Sequence, residues 1–243
     1  MFYVISGILL PFVGTSVGSA AVFFLKNPTR QLSRNLGAFA SGVMVAASVW
    51  SLIIPAVEMC GSMGRLAFLP ALIGITAGFG IILFSEHICK KAEKNYDMNF
   101  FAITLHNFPE GMAVGMMFAM WLREGEQGFP LACFAFSVAI ALQNIPEGAI
   151  ISMPAFTKLK NKSKGFAYGV LSGAVEPVGA FITLIFTGIA KELLPYLFGF
   201  AAGAMLCAVC GELSENEKGH PTGVPLCFAA GFCIMMSMDV SLG

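Results

Sequence analysis

This sequence is short of charge. Only 12% of its 243 residues are Asp, Glu, Lys or Arg, about half the share of an ordinary soluble domain. The 14 basic and 14 acidic residues cancel to a formal net charge of zero. That scarcity excludes a soluble globular protein, a disordered chain and an electrostatic nucleic-acid binder. Histidine is also rare, with three residues. No HExxH motif is present, which removes the usual zinc-protease signature. The seven cysteines are Cys60, Cys89, Cys133, Cys207, Cys210, Cys227 and Cys233. Most sit inside apolar runs, where a free thiol acts as a small hydrophobe, so they do not read as a disulfide framework. Cys207 and Cys210 have a CxxC spacing, but within an apolar helix they read as packing.

Apolar residues are what the chain has instead. They make up 57% of it, and the mean hydropathy is +0.79. The reading is an all-α polytopic membrane protein, a single transmembrane domain over residues 1–243. At roughly 20 residues per span, the length holds eight helices and no large soluble domain. Hydrophobic runs fall at 2–25, 35–57, 66–86, 98–121, 129–156, 165–190, 193–212 and 222–242. Little more than Lys191 and Glu192 separates the sixth from the seventh, and Pro195 favours a turn there. Met1-Phe2-Tyr3-Val4 carries no basic leader, so the start reads as a first span.

Basic residues set the expected orientation. With the N-terminus outside, the odd-numbered loops are cytoplasmic. They hold Lys26, Arg30, Arg34, Lys90, Lys91, Lys94, Lys158, Lys160, Lys162, Lys164 and Lys218. Only Arg65, Arg123 and Lys191 lie opposite. The positive-inside rule therefore places both termini outside a cell membrane. The lysines from 158 to 164 read as a topology signal.

Ionisable groups at membrane depth are costly and mark function. The fourth run contains Leu105-His106-Asn107-Phe108-Pro109-Glu110-Gly111, and the fifth contains Leu142-Gln143-Asn144-Ile145-Pro146-Glu147-Gly148. They are copies of one pattern, L-[HQ]-N-[FI]-P-E-G. Consecutive spans run antiparallel, so the copies face each other with opposite polarity, the mark of an inverted repeat around a midplane site. His106 and Glu110 share a helical face, as do Gln143 and Glu147, because they are four residues apart. Asn107 and Asn144 lie three residues before their glutamates. Glu176, followed by Pro177, adds a third carboxylate in the sixth run. Pro109 and Pro146 remove backbone donors and free carbonyls, and the glycines after each glutamate permit close helix approach.

Three carboxylates cannot stay charged together in a low-dielectric core without protons or a cation. Imidazole, amide and carboxylate ligands suit a first-row divalent ion, with zinc, iron, manganese and cadmium-like ions all open. Three functions compete: a metal transporter, an intramembrane metalloenzyme, and a channel-like pore. The enzyme reading suffers because only His106 supplies imidazole at mid-membrane.

These motifs resemble the ZIP (Zrt-, Irt-like protein) family of divalent-metal transporters, above all its short GufA-like prokaryotic type. The resemblance spans the whole chain and implies a ZIP-like bundle. It implies uptake into the cytoplasm by alternating access, with zinc as the leading substrate and iron(II), manganese or cadmium as further candidates. The metal is then transported cargo, with no prosthetic group and no nucleic-acid partner, in a cell membrane and in a homodimer. His106, Glu110, Gln143 and Glu147 look like one metal site; Asn107, Asn144, Glu176 and the shared glutamates look like its neighbour. The second span is similar to the family's pathway helix: Met44, Ala47, Ser51 and Glu58 are spaced to form one continuous face, with Ser51 at the entrance and Glu58 farther out. Glu212 and Asp239, near span ends, are weaker entry or exit candidates. Two departures matter. Many members have His where this chain has Gln143, which weakens a proton-shuttle role there. Many also carry a His-rich loop between spans three and four, where this chain has only His87. His87 and His220 read as solvated loop residues.

Overall fold

The computed structural model describes residues 2–24, 30–91, 96–125, 130–189, 191–215 and 223–242. No strand occurs among the described residues. The helices are α1 (Phe2–Ser19), α2 (Ala21–Phe24), α3 (Arg30–Ala47), α4 (Ile54–Glu58), α5 (Leu69–Lys91), α6 (Tyr96–Glu124), α7 (Leu131–Leu159), α8 (Lys162–Gly173), α9 (Val175–Ile189), α10 (Leu194–Glu215) and α11 (Gly223–Leu242).

Each of the eight expected apolar runs holds a helix. Among the described residues, six stretches are long and apolar enough to cross a membrane: Phe2–Phe24, Arg34–Glu58, Leu131–Leu159, Lys162–Phe186, Leu194–Gly211 and Gly223–Ser241. In α5, a 23-residue helix, the described apolar stretch is Leu69–Ser85. In α6 the motif residues His106, Asn107 and Glu110 dilute the apolar run.

Two departures from a straight α-helix place candidate residues. Between α3 and α4, Ser48–Ile53 is π-helical, and the Ile54 N–H reaches back five residues to the Val49 carbonyl. Pro55 has no N–H to give the Ser51 carbonyl, which favours the wider turn. That turn advances the side-chain phase, so the continuous face expected from Met44 through Ser51 to Glu58 is interrupted. Met44, Ala47 and Ser51 are buried, while Glu58 is exposed. The sixth run breaks at Ala174, between α8 and α9, where Pro177 cannot bond back to the Gly173 carbonyl. This break places Glu176 in the first turn of α9.

The helices associate in four principal pairs: α1 with α7, α6 with α9, α5 with α10, and α3 with α11. Glycines bring each pair to backbone contact. A Cβ on Gly14 or Gly18 would overlap the carbonyls of Ala141 and Ile145, and one on Gly148 would overlap that of Thr15. Gly111 and Gly115 sit equally close to the carbonyls of Glu176 and Ala180. Gly74 and Gly203 do the same between α5 and α10, and Gly42 and Gly231 between α3 and α11. Lipid offers no hydrophobic drive for helices to pair, so close van der Waals approach supplies it. These contacts advance together along both helices, so the partners run parallel. By contrast, α6 and α7 run antiparallel: Glu110 meets Gln143 and Met117 meets Cys133.

The pairing has an internal symmetry. Exchanging α1 with α8–α9, α3 with α10, α5 with α11 and α6 with α7 turns the pair list into itself. The lesser contacts follow: α3 touches α7 as α10 touches α6, and α11 touches α7 as α5 touches α6. Two layers result. One comprises α1, α6, α7, α8 and α9; the other comprises α3, α5, α10 and α11. Apolar residues such as Met44, Met116, Phe136, Phe198 and Met205 fill the space between them.

Candidate metal site

The site lies within the first layer, where α6, α7, α9 and α1 meet. Asn107, Glu110, Gln143, Asn144 and Glu176 are each 0% exposed. The Gln143 amide donates to Glu110 Oε1 at 2.8 Å, joining the two motif copies. Thr15 Oγ1 donates to Glu176 Oε1 at 2.6 Å, and Asn107 Nδ2 approaches the same oxygen at 3.3 Å. Glu147 is half-buried, and its charge acts on both Glu110 and Glu176. The His106 side chain lies outside the described residues; its backbone is within α6.

The two asparagines have matching roles. Asn107 Nδ2 donates to the Ser172 carbonyl at 3.3 Å, four residues before Glu176. Asn144 Nδ2 donates to the Pro11 carbonyl at 3.5 Å, four residues before Thr15. Each amide thus holds its helix to the close-packed partner, and each amide oxygen stays uncommitted.

That leaves an unusual set of atoms. Asn107 Oδ1, Glu110 Oε2, Gln143 Oε1, Asn144 Oδ1 and Glu176 Oε2 are buried with no hydrogen-bond partner. Only Ser16 Oγ and Ser41 Oγ share that condition among the described residues. A buried acceptor left bare costs about 1–3 kcal/mol, and more when charged. Five such oxygens from the motif residues of three helices call for a compensating group. Together they present carboxylate and amide oxygens, a hard to borderline donor set. Among the described residues, no three His, Cys, Asp or Glu side chains alone are arranged to hold a metal ion. The donor set in view depends on the amides.

The remaining candidates are scattered. Ser51 Oγ donates to both carboxylate oxygens of Asp239, at 2.7 and 2.8 Å. This pair lies beside a small cavity lined by Met117, Phe136, Met235 and Met238. Met44 packs in the apolar core. Glu58 is exposed at the end of α4, and His87 is exposed on α5. The Glu212 side chain and His220 lie outside the described residues. Sequence reasoning missed Thr15, Pro11 and Ser172. The spacing of Gly14 and Gly18 marks α1 for close packing, but nothing in the sequence ties Thr15 to Glu176, 161 residues away.

Residues 96–239 match the family described as ZIP zinc transporter. The chain is 31% identical to the zinc transporter ZIP11 of Xenopus tropicalis, over 98% of this chain and 96% of that protein. It is 31% identical to the zinc transporter GufA of Myxococcus xanthus, over 97% of each. It is 30% identical to the zinc transporter ZIPB of Bordetella bronchiseptica, over 99% of this chain and 82% of that one. With its apolar helices and paired motifs, this multi-pass membrane protein belongs to the ZIP family.

Proposed function

We propose that this chain is a divalent-metal uptake transporter, not an enzyme, with zinc as its principal cargo and iron(II), manganese and cadmium as lesser candidates. The related proteins named above are zinc transporters. The observation that carries the mechanism is the group of five buried, unpartnered oxygens on Asn107, Glu110, Gln143, Asn144 and Glu176. A divalent cation satisfies these oxygens and offsets the mutual repulsion of Glu110, Glu147 and Glu176. By its motif position in the sequence, His106 adds an imidazole to the candidate ligands.

The two-layer packing supports alternating access. The layer holding the site is closely knit by glycine contacts, and its border with the other layer is made mainly of apolar side chains. Movement of one layer against the other carries the site between the two sides without dismantling it. The Ser51–Asp239 pair, at the contact between the π-helical turn and α11, serves as an ion entrance. Lysine and arginine distribution favours both termini outside. In Gly223–Ser241, only 11% of the span is buried, which leaves α11 open to lipid or to a second copy in a homodimer.

Zinc uptake into proteoliposomes tests this reading. Wild-type protein is expected to give saturable uptake that His106→Ala and Glu110→Ala both weaken. Absence of uptake, with metal held tightly by the purified protein, would overturn it. Non-saturating flux would instead favour a pore.

A further inference from the structure

The internal symmetry pairs every motif residue with a counterpart. Asn107 corresponds to Asn144, and Glu110 to Glu147. Gly111 meets the Glu176 carbonyl, and Gly148 meets the Thr15 carbonyl. The asparagines reach carbonyls four residues before Glu176 and four residues before Thr15. Two independent relations therefore equate position 15 with position 176. The backbone is repeated, but one copy carries a carboxylate and the other a hydroxyl.

The two side chains meet each other. The Thr15 hydroxyl donates to Glu176 Oε1 at 2.6 Å, and both residues are fully buried. Oε1 also faces the Asn107 amide, while Oε2 has no partner. Holding one oxygen of a buried carboxylate fixes the orientation of the other, as outer partners do for metal ligands generally. The hydroxyl also sits where the repeat would otherwise place a fourth carboxyl group, which keeps the number of carboxyl groups at three.

We propose that Thr15 is a positioning residue for the metal site: its hydroxyl clamps Glu176 so that the free oxygen of that carboxylate is presented to the transported cation. This inference rests on the metal-site reading given above. The bond is short and buried, and with a cation bound and Glu176 ionised it becomes charge-assisted, the stronger class of hydrogen bond. A hydroxyl is required and the methyl is not, so Ser should replace Thr, while Val, nearly equal in shape, should not.

The test compares Thr15→Val, Thr15→Ser and Thr15→Ala with Glu176→Gln and wild type. Zinc affinity is measured by chelator competition on the purified protein, and KM and maximal rate by uptake into proteoliposomes. Val and Ala are expected to weaken zinc binding and raise KM by about tenfold, the scale of lost outer-shell partners. Ser is expected to restore both, and the yield of monodisperse protein is expected to stay level across the set. Ala guards against misfolding of Val, since it introduces no new bulk. Zinc affinity unchanged in Val and Ala, with Glu176→Gln impaired, would overturn the role of Thr15 and leave the site reading intact. Zinc affinity unchanged in Glu176→Gln as well would overturn both. Equal loss in Ser and Val would also overturn the clamp, because the hydroxyl would not be the determinant.

Discussion

The α6–α9 pair and the α7–α1 pair have the same backbone arrangement and different chemistry. In each, a glycine directly after a glutamate sits against a carbonyl of the partner helix, and an asparagine amide reaches one turn farther back. Yet one copy supplies His106 and Glu176 where the other supplies Gln143 and Thr15. The comparison separates two requirements. Packing needs the glycines and asparagines in both copies. On the proposed reading, metal chemistry needs imidazole and a third carboxylate in only one.

Four perturbations would break or sharpen that contrast. The largest effect is expected from packing. Gly111→Val and Gly148→Val each drive a side chain into partner backbone, and monodisperse protein should be lost in both. Even the Ala variants should cost about 1–3 kcal/mol, as overpacking does. Gly80→Ala, where nothing lies within 4 Å, should behave as wild type in thermal unfolding. Matching losses at Gly111 and Gly148 would show that the two copies carry equal structural weight.

Chemistry should divide the copies where packing does not. Glu110→Ala is expected to reduce zinc affinity beyond the roughly 10–100-fold carried by supporting residues. Glu147→Ala, at a half-buried position, should lose less, as read by isothermal titration. Next in size is Gln143→His, which makes the second copy resemble the first. Imidazole is the better zinc ligand, so KM for zinc should fall several-fold, and uptake should become more sensitive to acid as the new imidazole protonates. The smallest effect belongs outside the symmetric pair. Ser51→Ala removes one hydroxyl from Asp239 and should raise KM by about threefold, the scale of one buried hydrogen bond, with maximal rate unchanged.

The residues that could be read from sequence are those whose meaning is local. Apolar runs located the helices because the bilayer demands about 20 apolar residues per span. The paired motifs stood out because an ionisable residue at membrane depth is rarely idle. The glycines after Glu110 and Glu147 announced close approach, and each meets a partner carbonyl. Other features were hidden because they arise between distant elements. The partner helix of each motif was invisible, so Thr15 and Ser172 went unnoticed. The π-helical turn at Ser48–Ile53 defeated the straight-helix spacing used for Ser51 and Glu58. Pro55 was the available clue, since it frees the Ser51 carbonyl. In α6, the very residues that mark the site lower the apolar signal of the span that carries them.

The central claim is that oxygens of the paired motifs and Glu176 hold the transported ion. Zinc K-edge X-ray absorption on the zinc-loaded protein, compared with Glu110→Ala, tests it most directly. The account predicts a first shell of oxygen and nitrogen with no sulfur, lost or rebuilt in the variant. A sulfur shell, or a spectrum unchanged by Glu110→Ala, would place the ion elsewhere, at the cysteines or methionines, and contradict the account.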